Sequence, residues 1–519
     1  MIEKYLNNRF ITLYVFPFIL GSLTVFSFQP FNFTFINFIV LPLFFYVLVF
    51  INKKSKTTYR KKPYKKNLFI YGTLFGFGFY ISGTHWISNS LTFDDNFKFL
   101  IPFSLILIPL FLSLFISIVT LFLGPFLSFN FSSILILSLG LAISDYIRSK
   151  ILTGFPWNLW SYSFSWATEL IQIINKIGLF SFNLITLTIF MLPVLFLFKY
   201  NFGKKILHFS IVPIILFVFY VYGNYSLNHN QKLINSIDNK FYIKVISPNF
   251  ELKYNLNLDE IESRLDSLAR YSSPEKNRPT LFIWPEGVFS GYSYEEILSL
   301  SSKFSNYFDK DHYVVFGINR LDKKRNGFYN SLVIVNNEFE IIREYRKQKL
   351  VPFGEFLPFE KLLSKFGFKK ITEGYGSFLQ GTENETLKIG KINILPLICY
   401  ELIFPKFIQQ SHKDTNLIIN ISEDGWFGRS IGPHQHFAKA IYRAIEQNSY
   451  LIRSANKGIS GIVNNKGELI KKLESTEVGL ISMEVPLVNS DNKNKNDLIF
   501  FVLLITYILL INIYKTKNV

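Results

Sequence analysis

Three short stretches of the 519-residue sequence put reactive side chains beside proline or glycine at the end of a β-rich run. FIWPEGVFSG carries Glu286 directly after an apolar run. Poor solvation there raises a carboxyl pKa and suits a general base. YRKQKLVPFGEFLPF carries Lys347, Lys349 and Glu355. A lysine in it can stabilise an oxyanion or lower the pKa of a nearby thiol. INILPLICYELIFP carries Cys399, Tyr400 and Glu401, with the thiol between a strand-like run and an expected helix whose dipole would favour the thiolate. Each stretch alone has a plainer reading: a strand-end glutamate, a solvated basic run, a buried structural cysteine. Together they supply base, cation and nucleophile for covalent catalysis. Cys399 is the only cysteine, which excludes an intramolecular disulfide and a CxxC metal site. His434 and His436, spaced i,i+2, face different sides of a helix and lack a third ligand. Structural or site-lining roles are expected for them, with no metal and no cofactor.

The elements around these residues are of two kinds. Eight hydrophobic runs, at 10–28, 33–52, 67–88, 100–123, 132–148, 177–198, 206–223 and 498–514, approach the ~20 residues that cross a bilayer. Between the last two lie β-rich runs at 241–247, 280–286, 312–318, 331–337, 392–398 and 416–422, with helical patterns at 258–271 and 436–450. Alternating strands and helices predict a layered α/β domain. The expected organisation is a polytopic helical membrane domain (1–223), the α/β domain (224–497) and a closing span with a short tail (498–519).

The net charge of +18 invites a nucleic-acid reading, but the charge lies elsewhere. Residues 224–497 hold 36 of the 55 Lys and Arg and 32 of the 37 Asp and Glu, so the hydrophobic part keeps 19 basic and only 5 acidic residues. With a cytoplasmic N-terminus, 15 of those 19 fall in inside segments, eight of them in KKSKTTYRKKPYKK (53–66). The positive-inside rule then puts 224–497 outside the cytoplasm. A nucleic-acid partner is not expected.

The words TGFPW (153–157), WPEG (284–287), KQKLVPFGE (347–355), ICYE (398–401), DGWFGRSIGPHQH (424–436) and LIRSANKGISG (451–461) resemble the nitrilase (carbon–nitrogen hydrolase) superfamily. Over the whole chain they are more similar to the apolipoprotein N-acyltransferase family. The resemblance implies an αββα nitrilase-like sandwich with Glu286, Lys347 rather than Lys349, and Cys399 as its catalytic triad. Glu355, Tyr400 and Glu401 are its supporting residues, and Tyr254, Trp284, Trp426, Arg148 and Trp157 are candidate substrate contacts. It also implies a phospholipid acyl donor, an acyl-Cys399 thioester and the N-terminal amine of a diacylated apolipoprotein as acceptor. The setting would be a multi-pass protein of the bacterial inner membrane, its catalytic domain on the periplasmic side, acting as a monomer. Both substrates are anchored in the lipid bilayer. Trp157 and Trp160 could equally be interface anchors, and loops 287–294 and 353–375 are candidate lids. Three positions depart from the family pattern: Tyr254 where Trp is usual, Glu423 where Asn is usual, and Ser247 where Gln is usual. A membrane-tethered nitrilase-like amidase is the alternative.

Overall fold

The computed structural model describes residues 6–58, 63–199, 201–253, 256–363, 365, 370, 376–382, 386–412, 414–490 and 496–516. The chain divides into two compact units, Met1–Ser226 with Lys495–Val519, and Leu227–Asn494.

The first unit is helical. Among the described residues, six helical stretches are long and apolar enough to cross a membrane: Thr34–Lys54, Asp95–Phe126, Phe131–Lys150, Leu179–Leu197, Phe202–Asn235 and Asp497–Thr516. Ile11–Ser27 is shorter than expected, a π turn, an α-helix and a 3-10 turn in succession. Pro63–Thr84 is one continuous helix, made less apolar by Gly72, Gly76, Gly78 and Gly83. Large apolar side chains such as Phe103, Phe122, Phe217 and Leu509 point outward, as a lipid solvent permits. The closing helix Asn496–Thr516 joins this unit through Tyr507 and Thr188, whose hydroxyls lie 2.8 Å apart, and through Phe500 stacked on Tyr146.

Close backbone approach needs the glycines. A Cβ on Gly76 would fall 2.9 Å from both Cα and Cβ of Ser113, and one on Gly72 would strike Thr120. This small-xxx-small spacing lets helices Pro63–Thr84 and Ile101–Leu123 touch. Gly76→Leu is therefore expected to overpack that crossing, at a cost of ~1–3 kcal/mol. It should lower the melting midpoint of the detergent-purified protein, whereas Gly203→Ala, at an open helix position, should not.

Two expectations for the loop after Phe131–Lys150 are corrected. Arg148 is buried: it donates to Asp145 at 2.8 Å and to the carbonyl of Phe155, while Asn183 donates to the other Asp145 oxygen at 2.9 Å. From the last turn of the helix it pins the loop that follows and does not present a cation to a lipid phosphate. Trp157 and Trp160 pack inside the helical unit, against Trp86 (4.5 Å) and Phe79 (4.8 Å), rather than anchoring an interface. The backbone bond from Phe155 N–H to the Arg148 carbonyl (2.9 Å) turns the loop back inward.

Among its described residues the second unit has twelve strands: β1 (Lys240–Ser247), β2 (Thr280–Ile283), β3 (His312–Asp322), β4 (Gly327–Val335), β5 (Ile341–Arg346), β6 (Leu387–Ile389), β7 (Ile392–Ile398), β8 (Leu417–Glu423), β9 (Tyr450–Asn456), β10 (Ser460–Val463), β11 (Leu469–Leu473) and β12 (Gly479–Pro486). They form two six-stranded sheets, ordered β12-β1-β2-β3-β4-β5 and β11-β10-β9-β8-β7-β6. β1, β2 and β3 run parallel, as do β7, β8 and β9. β4 and β5 are antiparallel neighbours of this set, so β5 ends on the same side as β2.

Residues facing inward from both sheets, including Ile243, Leu281, Val315, Ile394, Ile419 and Ile452, fuse into one core. Parallel strands buried on both faces explain the unbroken Ile/Val/Leu runs in the sequence. Helix Leu258–Ser272 covers the first sheet, burying Ile261, Leu265 and Leu268 against Phe282 and Phe316. Its start is a capping box: Asn257 and Glu260 exchange side-chain-to-backbone bonds of 2.8 and 2.9 Å. Helix Gly432–Gln447 packs on β9 and β10 of the second sheet. The unit is a nitrilase-like helix–sheet–sheet–helix sandwich. Helix Gly432–Gln447 begins earlier than expected because Pro433 opens its first turn, and it stops at Asn448 in the left-handed conformation (φ 56°).

Candidate active site

Glu286, Lys347 and Cys399 follow β2, β5 and β7 and converge at one end of the two sheets. Lys347 is 1% exposed, and its Nζ donates to Glu355 Oε1 at 2.9 Å and to Glu286 Oε1 at 3.3 Å. Burial alone would lower its pKa, but Glu286, Glu355 and Cys399 outweigh burial and hold it above the usual lysine value. Lys349 points elsewhere, its ammonium 5.0 Å from the ring centre of Phe404.

Glu286 is oriented on both oxygens. Oε1 accepts from Lys347 and from Asn330 Nδ2 (2.8 Å), and Oε2 accepts from the backbone N–H of Glu423 (3.0 Å). The strand β3 comes so near that a Cβ on Gly317 would lie 2.9 Å from Glu286 Cα. Asn330 also donates to Glu355 Oε1 at 2.7 Å, so one amide bridges both carboxylates. Glu355 accepts from Val351 N–H at 2.8 Å through its other oxygen.

Asn330 was not marked by the sequence, because an asparagine inside a β-rich run carries no local sign of which carboxylates it will meet. Asn330→Ala is expected to slow any reaction of Cys399 that depends on Glu286 by roughly 10–100-fold, since a hydrogen bond to a charged group contributes ~1.5–3 kcal/mol. Single-turnover rates of Cys399 modification, followed by intact mass, would measure it.

Cys399 has φ +45°, a left-handed backbone that L-residues avoid at a cost of ~1–2 kcal/mol. Only a five-residue 3-10 helix, Cys399–Ile403, follows, because Pro405 starts a new turn. The expected helix dipole is thus short, and burial and Glu286 push the thiol pKa up, with Lys347 opposing them. These shifts favour the neutral thiol over the thiolate. Tyr400 is half-buried beside it, edge-on to Phe404 at 5.0 Å.

Glu401 does not line a pocket. It is fully buried and accepts four bonds: Ile398 N–H (2.8 Å), Gln348 N–H (2.7 Å), Lys349 N–H (3.1 Å) and Tyr345 O–H (2.9 Å). It ties the strand before Cys399 to the loop after Lys347.

The candidate substrate contacts divide. Trp284 is a core residue, its indole N–H donating to Ser272 Oγ at 2.9 Å amid Phe289, Phe304, Phe308 and Phe316, so a substrate contact is excluded. Trp426 is half-buried in the turn Asp424–Phe427. Tyr254 lies outside the described residues. Loop 287–294 is largely packed into the core through Val288, Phe289 and Tyr294, which corrects its reading as a lid. Phe353 and Phe359 are exposed, while 366–369 and 371–375 lie outside the described residues. His434 is half-buried, and among the described residues no cluster suits a metal ion.

Glu423 accepts from Gly425 N–H (2.9 Å) and Asn456 Nδ2 (2.8 Å). Burial raises its pKa from 4.5 to about 8, helped by Glu286 and Asp424 and opposed by those two bonds. The folded protein thus holds a proton that the unfolded chain releases above 4.5, and stability from this group is lost as pH rises from 4.5 through 8. Glu423→Gln is expected to raise the melting midpoint little at pH 5 and progressively more towards pH 8.5, up to the equivalent of ~2–4 kcal/mol.

Residues 20–192 match the family model described as the apolipoprotein N-acyltransferase N-terminal domain, and residues 258–492 match carbon-nitrogen hydrolase. An apolipoprotein N-acyltransferase of Rickettsia typhi is 33% identical over 510 residues, covering 95% of this chain and 97% of its own. One from Rhizobium leguminosarum bv. trifolii is 30% identical over 430 residues, 80% of each chain. Among solved structures, Saccharomyces cerevisiae Nit3 of the nitrilase superfamily is 18% identical, with a TM-score of 0.37 over 48% of this chain and 91% of that one.

Proposed function

The chain belongs to the apolipoprotein N-acyltransferase family, and on that premise we propose that Glu286, Lys347 and Cys399 carry out its acyl transfer. It is a membrane-embedded acyltransferase of lipid and lipoprotein substrates. The observation that carries the residue assignment is the buried Lys347 ammonium held between Glu286 and Glu355, with Cys399 within its electrostatic reach.

In the first half-reaction Glu286 takes the thiol proton as Sγ attacks the ester carbonyl of a phospholipid. Lys347 stabilises the tetrahedral oxyanion. The C–O bond breaks, the leaving lysophospholipid oxygen takes the proton from Glu286, and an acyl thioester stays on Cys399. In the second, the neutral α-amine of a diacylglyceryl-cysteine attacks the thioester, Glu286 takes a proton from nitrogen, and the C–S bond breaks. Proton return to sulfur restores the enzyme. Glu355 and Asn330 hold Lys347 and Glu286 in register. The placement of basic residues supports a catalytic segment on the outer face of the bacterial inner membrane.

Intact mass spectrometry after incubation with a defined phospholipid tests this reading. Wild type should gain one acyl mass that Cys399→Ala does not, and a diacylated lipopeptide should discharge it and become triacylated. No adduct on a folded protein with a titratable thiol would sink the phospholipid donor. Hydrolysis of a small amide instead would favour the amidase reading.

A further inference from the structure

We propose that His436 is a positioning residue for this reaction: its Nε2–H holds the backbone carbonyl of Cys399 and with it the left-handed turn that aims the thiol. The inference rests on Cys399 being the nucleophile.

His436 Nε2 lies 3.2 Å from the Cys399 carbonyl oxygen. A carbonyl only accepts, so Nε2 carries the proton. On the other side of the ring, Nδ1 lies 3.1 Å from Arg453 Nη2, which only donates. Nδ1 stands between this donor and the acceptor Asp424 Oδ1, also 3.1 Å away, so both ring nitrogens are engaged within the protein and Nε2–H donates to Cys399 in either state of Nδ1.

The partners of the ring are themselves fixed. Arg453 Nη2 contacts both Asp424 oxygens at 2.7 and 2.8 Å, Nε donates to the Ile459 carbonyl at 3.1 Å, and Nη1 donates to Asn420. Ser422 Oγ donates to Asp424 Oδ1 at 2.7 Å, and that same oxygen lies 3.1 Å from His436 Nδ1. His436, Asp424 and Arg453 are all essentially buried. Asp424, just after β8, and Arg453, in the middle of β9, are thereby linked through one imidazole to the turn that follows β7.

This arrangement also excludes His436 as the base, because its outward nitrogen is already protonated and bonded to a carbonyl. What it supplies is restraint. Cys399 sits in a strained conformation (φ +45°). Freed of the tether, the turn can relax toward ordinary φ, and a displacement of ~1 Å at a reacting atom can slow a reaction ~100-fold.

Single-turnover acylation of the full-length protein by a defined phospholipid tests the proposal, followed by intact mass against lipid concentration. His436→Leu should lower the limiting acylation rate roughly 100-fold, with the half-saturating lipid concentration within about twofold of wild type. His436→Gln, whose amide can reach the same carbonyl, should recover most of that rate. Should the leucine variant fail to fold, His436→Asn keeps the Arg453 side but cannot reach Cys399, and should be slow in its place. Leucine at the wild-type rate, or glutamine as slow as leucine in a folded protein, overturns the positioning role. Wild type that takes no acyl mass overturns the catalytic assignment itself, and this inference with it.

Discussion

Lys347→Met is expected to reduce Cys399 acylation by ~10³-fold or more, while leaving a chain that still inserts and binds lipid. Methionine keeps the length of the side chain and removes its charge and donors. Two losses combine. The oxyanion loses its cation, and a single donor of that kind is worth ~10²–10³ in rate. Glu286 and Glu355 also lose the buried charge between them, and breaking a buried pair costs ~3–5 kcal/mol of stability. Lys347→Arg should separate the two effects. It restores the charge, but a planar fork replaces the compact ammonium that contacts both Oε1 atoms, so stability should return further than rate. The measurements are single-turnover intact mass and thermal melting. A methionine variant within tenfold of wild type would reduce Lys347 to a structural counter-ion.

Glu401→Ala is expected to be as damaging by a different route. Its carboxylate is the acceptor for three backbone N–H groups and one hydroxyl, and all four would be left buried without it. Each orphaned donor costs ~1–3 kcal/mol, so a total of at least ~3 kcal/mol survives generous relaxation. Because Ile398 precedes Cys399 while Gln348 and Lys349 follow Lys347, catalysis should fail along with stability. Glu401→Gln should rescue poorly, since the amide nitrogen is one more donor where every partner already donates. Tyr345→Phe, which removes one of the four bonds, should cost far less. An alanine variant with a wild-type melting midpoint and acylation rate would refute the clamp.

Local pattern was enough for much of this protein. Apolar runs of bilayer length need no partner to be recognised, because the solvent they require is the same along their whole length. Strands β1, β2, β3, β4, β7 and β8 were legible because strands buried largely on both faces read as runs rich in Ile, Val, Leu and aromatics. Glu286, Lys347 and Cys399 were legible because each stands where a β-rich run meets proline or glycine. β5 and β11 were not, because IIREYR and LIKKL are charged and mostly unburied, and the three-residue β6 and four-residue β10 become strands only by pairing with β7 and β9.

Tertiary structure alone decided the rest. Trp284 and Trp426 look alike in sequence, yet one is core and the other stands half-buried beside Asp424. Arg148 carries a charge in either environment, and only the fold supplies Asp145 and the Phe155 carbonyl to pair it. The thiol of Cys399 was expected to gain from a helix dipole, but Pro405 cuts the helix short, and burial raises the pKa instead. Asn330, Glu401 and His436 gain their roles from partners 25 to 56 residues away in the chain. Hydrogen bonds are short-ranged in space and indifferent to sequence separation, so only a folded chain can show them.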